Sequence, residues 1–168
     1  SWTTARHRAH KENRMTLTEI QKQLPWGKFY SEKFRQMDLP YKDFVDIWND
    51  IFWEDARMCE LARELKNRYK LILVSNISVL HFEHINKKFD IIQIFDELIL
   101  SYKVGAIKPE RKIFDEVVKR AGGKKEGIFY IDDREDLVKA ALELGIDSVR
   151  FENVDKLRDI MKKKGILT

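Results

Sequence analysis

The chain has 168 residues, 43% of them hydrophobic, which is enough for one compact domain or for a core with a small accessory layer. Its 32 basic residues exceed the 28 acidic ones by four, but the two signs are interspersed. The only local excess of bases, between Arg6 and Arg14, indicates a solvated terminus rather than a nucleic-acid-binding face. No apolar run reaches the ~20 residues of a membrane-spanning helix, and Cys59 is the only cysteine. These features predict a soluble, cytoplasmic protein without nucleic acid or membrane partners.

Charged residues make up 36% of the chain, mostly Lys, Glu and Arg. An ordinary soluble domain contains roughly 25%. Because proteins of heat-adapted organisms are enriched in the same residues, the composition favours a thermophilic source.

Residues 1–68 are predicted to be helical. Apolar residues between Tyr41 and Arg68 recur at helical spacing with a break near Trp53, so two helices are expected in that stretch. The segment is rich in aromatic residues, which can form the core of a small helical layer. Alternatively, they line a substrate pocket in a cap.

Residues 69–168 have a different pattern, in which short apolar runs alternate with amphipathic helices. Continuous apolar strands separated by helices indicate a parallel sheet that is covered on both faces. We therefore predict an α/β core with a Rossmann-like parallel sheet and helices on both faces. The predicted strands are 71–74, 97–101, 127–131 and 147–151, and the predicted helices are 79–88, 109–120, 136–144 and 154–164.

Polar residues follow three of the predicted strands. The carboxyl ends of parallel strands meet at one edge, where ligands bind, so these residues are expected on one rim. A hydroxyl and backbone amides can hold phosphoryl oxygens, a lysine offsets their charge, and adjacent carboxylates suit Mg²⁺. The residues are Ser75 and Asn76 after the first strand, Ser101 and Lys108 after the second, and Asp132 and Asp133 after the third.

The order and spacing of these motifs resemble the haloacid dehalogenase superfamily, most closely its sugar phosphatases and the N-terminal domains of epoxide hydrolases. The resemblance covers roughly residues 44–150. The first motif is Leu-Val-Ser-Asn at 73–76, accompanied by residues 80–83, and the second is Phe-Asp-Glu at 95–97, accompanied by residues 101–105. The third is Lys-Pro-Glu at 108–110, accompanied by residues 113–114, and the fourth is Ile-Asp-Asp-Arg at 131–134, accompanied by residues 140–141.

The resemblance implies a role for each rim residue. Ser75 matches the phosphate-binding hydroxyl residue with Asn76 beside it, and Lys108 matches the lysine near the nucleophile; Ser75 and Lys108 are therefore the expected catalytic residues. Asp133 matches the principal Mg²⁺ carboxylate, with Asp132 next to it. Residues 1–68 match the helical cap. The implied activity is that of a Mg²⁺-dependent phosphatase acting on small phosphorylated metabolites through an aspartyl-phosphate.

The chain departs from the family pattern at two places. Leu137 stands where the branch usually has Asn or Asp, and Asp136 lies one residue earlier, so a second metal ligand is left open. No Asp-x-Asp occurs in these residues, although the family's central first strand ends in that motif and supplies the nucleophile.

Three explanations of the absent motif stay open. The chain is a phosphatase whose N-terminal strand is missing from this sequence, or a degenerate, inactive relative that binds phosphate and has closed its sheet again, or a domain that takes the strand from another segment or chain. Dehalogenase chemistry is a further alternative, but that branch needs no metal, so the paired aspartates favour phosphoryl transfer. The sequence leaves the oligomeric state and the substrate open.

Overall fold

The computed structural model describes residue 43 and residues 47–168. The basic run and most of the predicted cap lie outside these residues. Within them, no helix combines the length and the apolar character needed to cross a membrane. The elements from residue 56 onward are α1 (Ala56–Lys66), β1 (Ile72–Ser75), α2 (Val79–Lys88), a 3-10 helix (Asp90–Ile94), β2 (Glu97–Leu100), α3 (Ser101–Val104), α4 (Arg111–Arg120), β3 (Phe129–Asp132), α5 (Glu135–Glu143), β4 (Asp147–Arg150) and α6 (Val154–Lys163).

Short polar residues begin several of the helices. Asp55 caps α1 by accepting a hydrogen bond from the Met58 amide at 3.1 Å, so the predicted break near Trp53 is confirmed. Ser78 caps α2 and Asn153 caps α6 in the same way. These caps satisfy amides that have no partner inside the helix, which fixes where each helix begins.

The strands form two separate parallel pairs. β1 pairs with β2 in the register Ile72 to Glu97, and β3 pairs with β4 in the register Phe129 to Asp147. Among the described residues, β1 and β3 are not paired with each other. The predicted parallel α/β fold is confirmed, and the direct pairing of β1 with β3 that would favour a degenerate relative with a re-closed sheet is not found in the described part of the chain.

Helices cover both faces of the strands, as predicted. On one face, a cluster of buried residues joins β2 and β3 to α4 and α5 through Ile99, Tyr130, Phe114 and Ala141. On the other face, a second cluster contains residues of α1 and α6, with strand residues packed against it. Helix α1 thus contacts the α/β core, although the sequence places it in the cap-like segment 1–68. That boundary stays a prediction.

Several predicted element boundaries are wrong by one or two residues; the third strand, for example, begins at Phe129 and not at residue 127. The second strand ends at Leu100 because Ser101 begins α3, which closes at Gly105 with a left-handed φ of 66°. The Ser101 hydroxyl is buried. It accepts a hydrogen bond from the Ile77 amide and donates one to the Ile77 carbonyl, both at 3.0 Å, so it does not reach the rim. Helix α4 begins at Arg111 and not at Pro109.

Candidate phosphate-binding site

Lys108 lies at the centre of the rim and is held there by Asn76. The Asn76 side chain accepts a hydrogen bond from the Lys108 backbone amide at 2.7 Å and donates one to the Lys108 backbone carbonyl at 2.9 Å. Asn76 directly follows β1, so the end of that strand fixes the loop between α3 and α4. Since both polar groups of the Asn76 side chain are engaged, the geometry gives Asn76 a supporting position behind the lysine.

The Lys108 ammonium reaches from this loop to the end of β3. Its Nζ donates to Oδ2 of Asp132 at 2.6 Å, and both side chains are largely buried, at 11% and 6% exposed. An ammonium has three donors, so Lys108 can bind further oxygen atoms while it keeps this pair. The two motifs that the sequence predicts to share the rim are therefore brought together.

The Asp132 carboxylate accepts three hydrogen bonds. Oδ2 accepts hydrogen bonds from the Lys108 ammonium and from the Tyr130 hydroxyl, the latter at 2.7 Å. Oδ1 accepts one from the Arg134 amide at 3.0 Å. Burial acts to raise the pKa of Asp132, but the charge of Lys108 and these hydrogen bonds outweigh it and hold the pKa below its usual value. Asp132 is therefore ionised and holds Lys108, and its three donors occupy all but one of the roughly four lone-pair sites of a carboxylate.

Tyr130 is a site residue that sequence reasoning did not identify. It lies two positions before Asp132, so both side chains point to the same face of β3, and this period of two is the signal that could have revealed it. Its ring is 5.9 Å from the Lys108 Nζ and packs edge-on against Phe114. Burial, followed by the bond to Asp132, raises the pKa of Tyr130, so its hydroxyl stays protonated and donates.

We expect Tyr130→Phe to lower the free energy of unfolding by about 1.5–3 kcal/mol, the usual contribution of a hydrogen bond to a charged group. The measurement is urea denaturation at neutral pH. Tyr102→Phe is the matched control, because Tyr102 is a half-buried tyrosine at the start of α3 whose ring packs against Phe82. Equal losses in the two variants would contradict a specific role for the Tyr130 hydroxyl.

Two groups on the rim have polar atoms without a partner in the described part of the chain. Ser75 is the half-buried last residue of β1, and its hydroxyl makes no hydrogen bond. Asp133 is exposed, and only its backbone carbonyl is engaged, by Arg150 Nε at 3.3 Å. A hydroxyl donor at the end of β1 and a free carboxylate after β3 therefore remain available to ligands.

The position that the family pattern reserves for a further metal ligand is occupied differently here. Leu137 is buried, with 2% exposed, and contributes to the core. Asp136 is bound by the guanidinium of Arg134, which holds the pKa of that carboxyl below its usual value. Residues 47–168 contain no cluster of three His, Cys, Asp or Glu side chains that could hold a metal. Asp133 is the free carboxylate of the rim.

This arrangement defines a Rossmann-like α/β domain with a polar, charged rim at the carboxyl ends of its strands, and the comparisons with known proteins agree with that fold. The family model of haloacid dehalogenase-like hydrolases matches residues 8–151. The chain therefore belongs to the haloacid dehalogenase-like hydrolases.

The individual proteins that the chain resembles share 25% to 35% of the aligned residues with it. The chain is 35% identical over 85 residues to drimenol cyclase from Aspergillus calidoustus, covering 51% of this chain but only 16% of that protein. It is 26% identical over 152 residues to a D-ribitol-5-phosphate phosphatase from Bacteroides thetaiotaomicron, covering 81% of this chain and 73% of the relative. The solved structure of a family enzyme from the same organism, in complex with magnesium and inorganic phosphate, superposes with a TM-score of 0.76 at 25% identity, covering 90% and 83% of the two chains.

Proposed function

We propose that this chain forms the phosphate- and Mg²⁺-binding part of a phosphatase that acts on small phosphorylated metabolites. The observation that carries the proposal is the buried Lys108–Asp132 pair, which fixes a cation at the carboxyl ends of β1 and β3. The related D-ribitol-5-phosphate phosphatase and the family structure with magnesium and phosphate support it.

Each rim residue has one task in this proposal. Lys108 donates to phosphoryl oxygens and offsets their negative charge, and the Ser75 hydroxyl donates to another of these oxygens. Asp132 and Asn76 hold Lys108 in place and do not contact the substrate. This division gives Asn76 a supporting role in place of the direct substrate contact expected from the sequence, because its Oδ1 and Nδ2 atoms both bond the Lys108 backbone.

Asp133 is the proposed protein ligand of Mg²⁺. Mg²⁺ is commonly bound by one or two carboxylates together with waters and substrate phosphate oxygens, so a single free carboxylate fits this role. When bound, the ion would neutralise charge on the transferred group. Asp132, with both oxygens engaged by donors, is assigned to Lys108 rather than to the metal.

The attacking group is not among these residues. In the reaction that the family resemblance implies, a carboxylate oxygen bonds to phosphorus while the ester P–O bond breaks and the leaving oxygen takes a proton. Water then cleaves the aspartyl-phosphate and releases inorganic phosphate. The 168 residues contain no Asp-x-Asp, so they supply the binding and charge-neutralising part of the site.

We expect the chain to bind inorganic phosphate in the presence of Mg²⁺ and to leave p-nitrophenyl phosphate unhydrolysed. Calorimetric titration with phosphate, with and without Mg²⁺, measures the first property, and nitrophenol release measures the second. Lys108→Met should abolish phosphate binding, whereas Lys112→Met, at an exposed position in α4, should retain it.

Two outcomes would contradict this proposal. Mg²⁺-dependent hydrolysis by the chain itself would mean that a nucleophile is present in it. Halide release from a haloacid, unaffected by EDTA, would favour the dehalogenase alternative. Binding without turnover is compatible with both the phosphatase part and the inactive relative, and direct pairing of β1 with β3 would favour the latter.

We further propose a cellular location, a type of source organism and a domain division for this protein. A cytoplasmic location rests on the single, unpaired Cys59, and a heat-adapted source rests on the charged composition. The division into a cap at 1–68 and a core at 69–168 rests on the change of sequence pattern at Lys70.

A further inference from the structure

The Lys108 side chain is held at both of its ends. The Asn76 side chain bonds its backbone amide and carbonyl, and its Nζ donates to Oδ2 of Asp132. Within the described part of the chain, Asp132 is the only hydrogen-bond partner of this ammonium. An ammonium has three donors, so two of them stay available for a ligand. The directions of these two donors depend on how Nζ lies against Oδ2.

Tyr130 contacts both members of this pair. Its hydroxyl donates to the same Oδ2 atom at 2.7 Å, and its ring centroid lies 5.9 Å from the Lys108 Nζ. The hydroxyl therefore occupies one side of the oxygen that Lys108 uses, which leaves the other side to the ammonium. The face of an aromatic ring at this distance attracts a cation, so the same residue holds Nζ a second time.

The position of Tyr130 is itself fixed by the core. The residue is buried, and its ring packs edge-on against Phe114 of α4 with the ring centroids 5.7 Å apart. The other oxygen of Asp132, Oδ1, accepts the Arg134 amide at 3.0 Å, which fixes the orientation of the carboxylate. The Lys108 ammonium thus takes its place from β3 and α4, and not only from the loop that carries it.

We propose that Tyr130 is a positioning residue of the phosphate site and acts through Asp132 and Lys108. Its hydroxyl and its ring keep Nζ on one side of Oδ2, so that the two free N–H groups of Lys108 are directed at phosphoryl oxygens on the rim. Tyr130 does not touch the phosphate, because its one hydroxyl proton is donated to Asp132. This inference rests on the proposed phosphate-binding function of the rim.

The Tyr130 hydroxyl also affects how much of the lysine charge a ligand meets. The positive end of the O–H dipole lies against Oδ2 and offsets part of the negative charge on that oxygen. Without the hydroxyl, Asp132 draws the ammonium more strongly and neutralises more of its charge. Direction and charge therefore act in the same sense, and loss of the hydroxyl weakens phosphate binding.

The test is calorimetric titration of Tyr130→Phe with inorganic phosphate in the presence of Mg²⁺, at a temperature where every variant is folded. Phenylalanine keeps the ring beside Nζ, so the substitution isolates the hydroxyl. We expect the dissociation constant to rise about tenfold, which lies within the usual range of coupling between residues in contact. Tyr130→Leu, which removes the ring as well, should weaken binding further.

Leu157→Val separates positioning from a general loss of stability. Leu157 is buried in the cluster formed by α1 and α6, on the other face of the strands, so its shortening loosens the core without touching the Lys108–Asp132 pair. The dissociation constant of this variant for phosphate should stay within about twofold of the wild-type value.

The Lys108 ammonium provides a second measurement that needs neither phosphate nor Mg²⁺. Its Nζ resonance in NMR spectra, assigned through the lysine side chain, reports the contact with Oδ2. We expect Tyr130→Phe to shift this resonance and Leu157→Val to leave it in place, because only the first substitution changes the surroundings of Oδ2.

Three results would overturn the inference: equal phosphate dissociation constants for the wild type and Tyr130→Phe, equal losses in Tyr130→Phe and Leu157→Val, or an unshifted Nζ resonance in Tyr130→Phe. Equal binding by Tyr130→Phe and Tyr130→Leu would overturn the part assigned to the ring. Failure of the proposed function gives a different pattern, because the wild type then binds no phosphate while the Nζ resonance still responds to Tyr130→Phe.

Discussion

Replacing Lys108 by methionine is expected to lower the free energy of unfolding at neutral pH by about 3–5 kcal/mol, because the change leaves the Asp132 carboxylate buried without its counter-ion. Both partners are shielded from water, with side chains 11% and 6% exposed, so solvent cannot take over the role of the ammonium. Methionine keeps most of the aliphatic volume of lysine, which limits the loss to the charge. Urea denaturation gives the free energy.

The loss should depend on pH with a defined sign. In the wild type the pKa of Asp132 lies below the ordinary value of 3.8, so the pair stabilises the fold above that pH and loses its effect as pH falls. In Lys108→Met, burial is unopposed by the lysine and raises the pKa of Asp132. Protonation at mildly acidic pH then relieves the buried charge. We expect the gap between wild type and variant to be largest near pH 7 and to shrink toward pH 4.

Two comparisons separate this effect from a general loss of packing. Lys112→Met at an exposed position should change the free energy of unfolding by no more than about 0.5 kcal/mol. The double variant Lys108→Met with Asp132→Asn should recover part of the loss, because the uncompensated charge is gone. A gap that stays constant between pH 7 and pH 4 would argue against an ionised Asp132 as the cause.

The adjacent aspartates are expected to respond in opposite ways to the same substitution. Asp132→Asn removes the buried counter-ion of Lys108 and should destabilise the fold by about 3 kcal/mol or more. Asp133→Asn changes an exposed side chain and should leave stability within about 0.5 kcal/mol of the wild type. Mg²⁺ binding should follow the reverse order, with Asp133→Asn losing it.

Denaturation and calorimetric titration with Mg²⁺ on the same two proteins measure both properties, and each variant is the control of the other. Titration of Asp132→Asn is made at a temperature where that variant is folded. If Asp133→Asn binds Mg²⁺ as tightly as the wild type while folded Asp132→Asn does not, the assignment of the two carboxylates is reversed.

The sequence alone was sufficient to predict much of the local structure. The continuous apolar runs predict the strands β1 and β3, and Asp55, Ser78 and Asn153 mark helix starts through bonds to amides three residues away. These interactions are short in sequence, so the pattern of residues contains them. The convergence of Lys108 on Asp132 follows from the parallel order of the strands.

Long-range contacts decided the remaining features. The sequence places Asp132 and Asp133 together as expected metal ligands, and only the structure shows that Asp132 is buried against Tyr130 and Lys108 while Asp133 is exposed, which is the basis for the different roles we propose. The Asn76 amide bonds the Lys108 backbone, a contact that the sequence does not indicate, and its contact with substrate stays a prediction. The division of the strands into two pairs depends on which strands meet. Side-chain partners and strand neighbours are set by residues far apart in the chain, and the local pattern does not determine which of them come into contact.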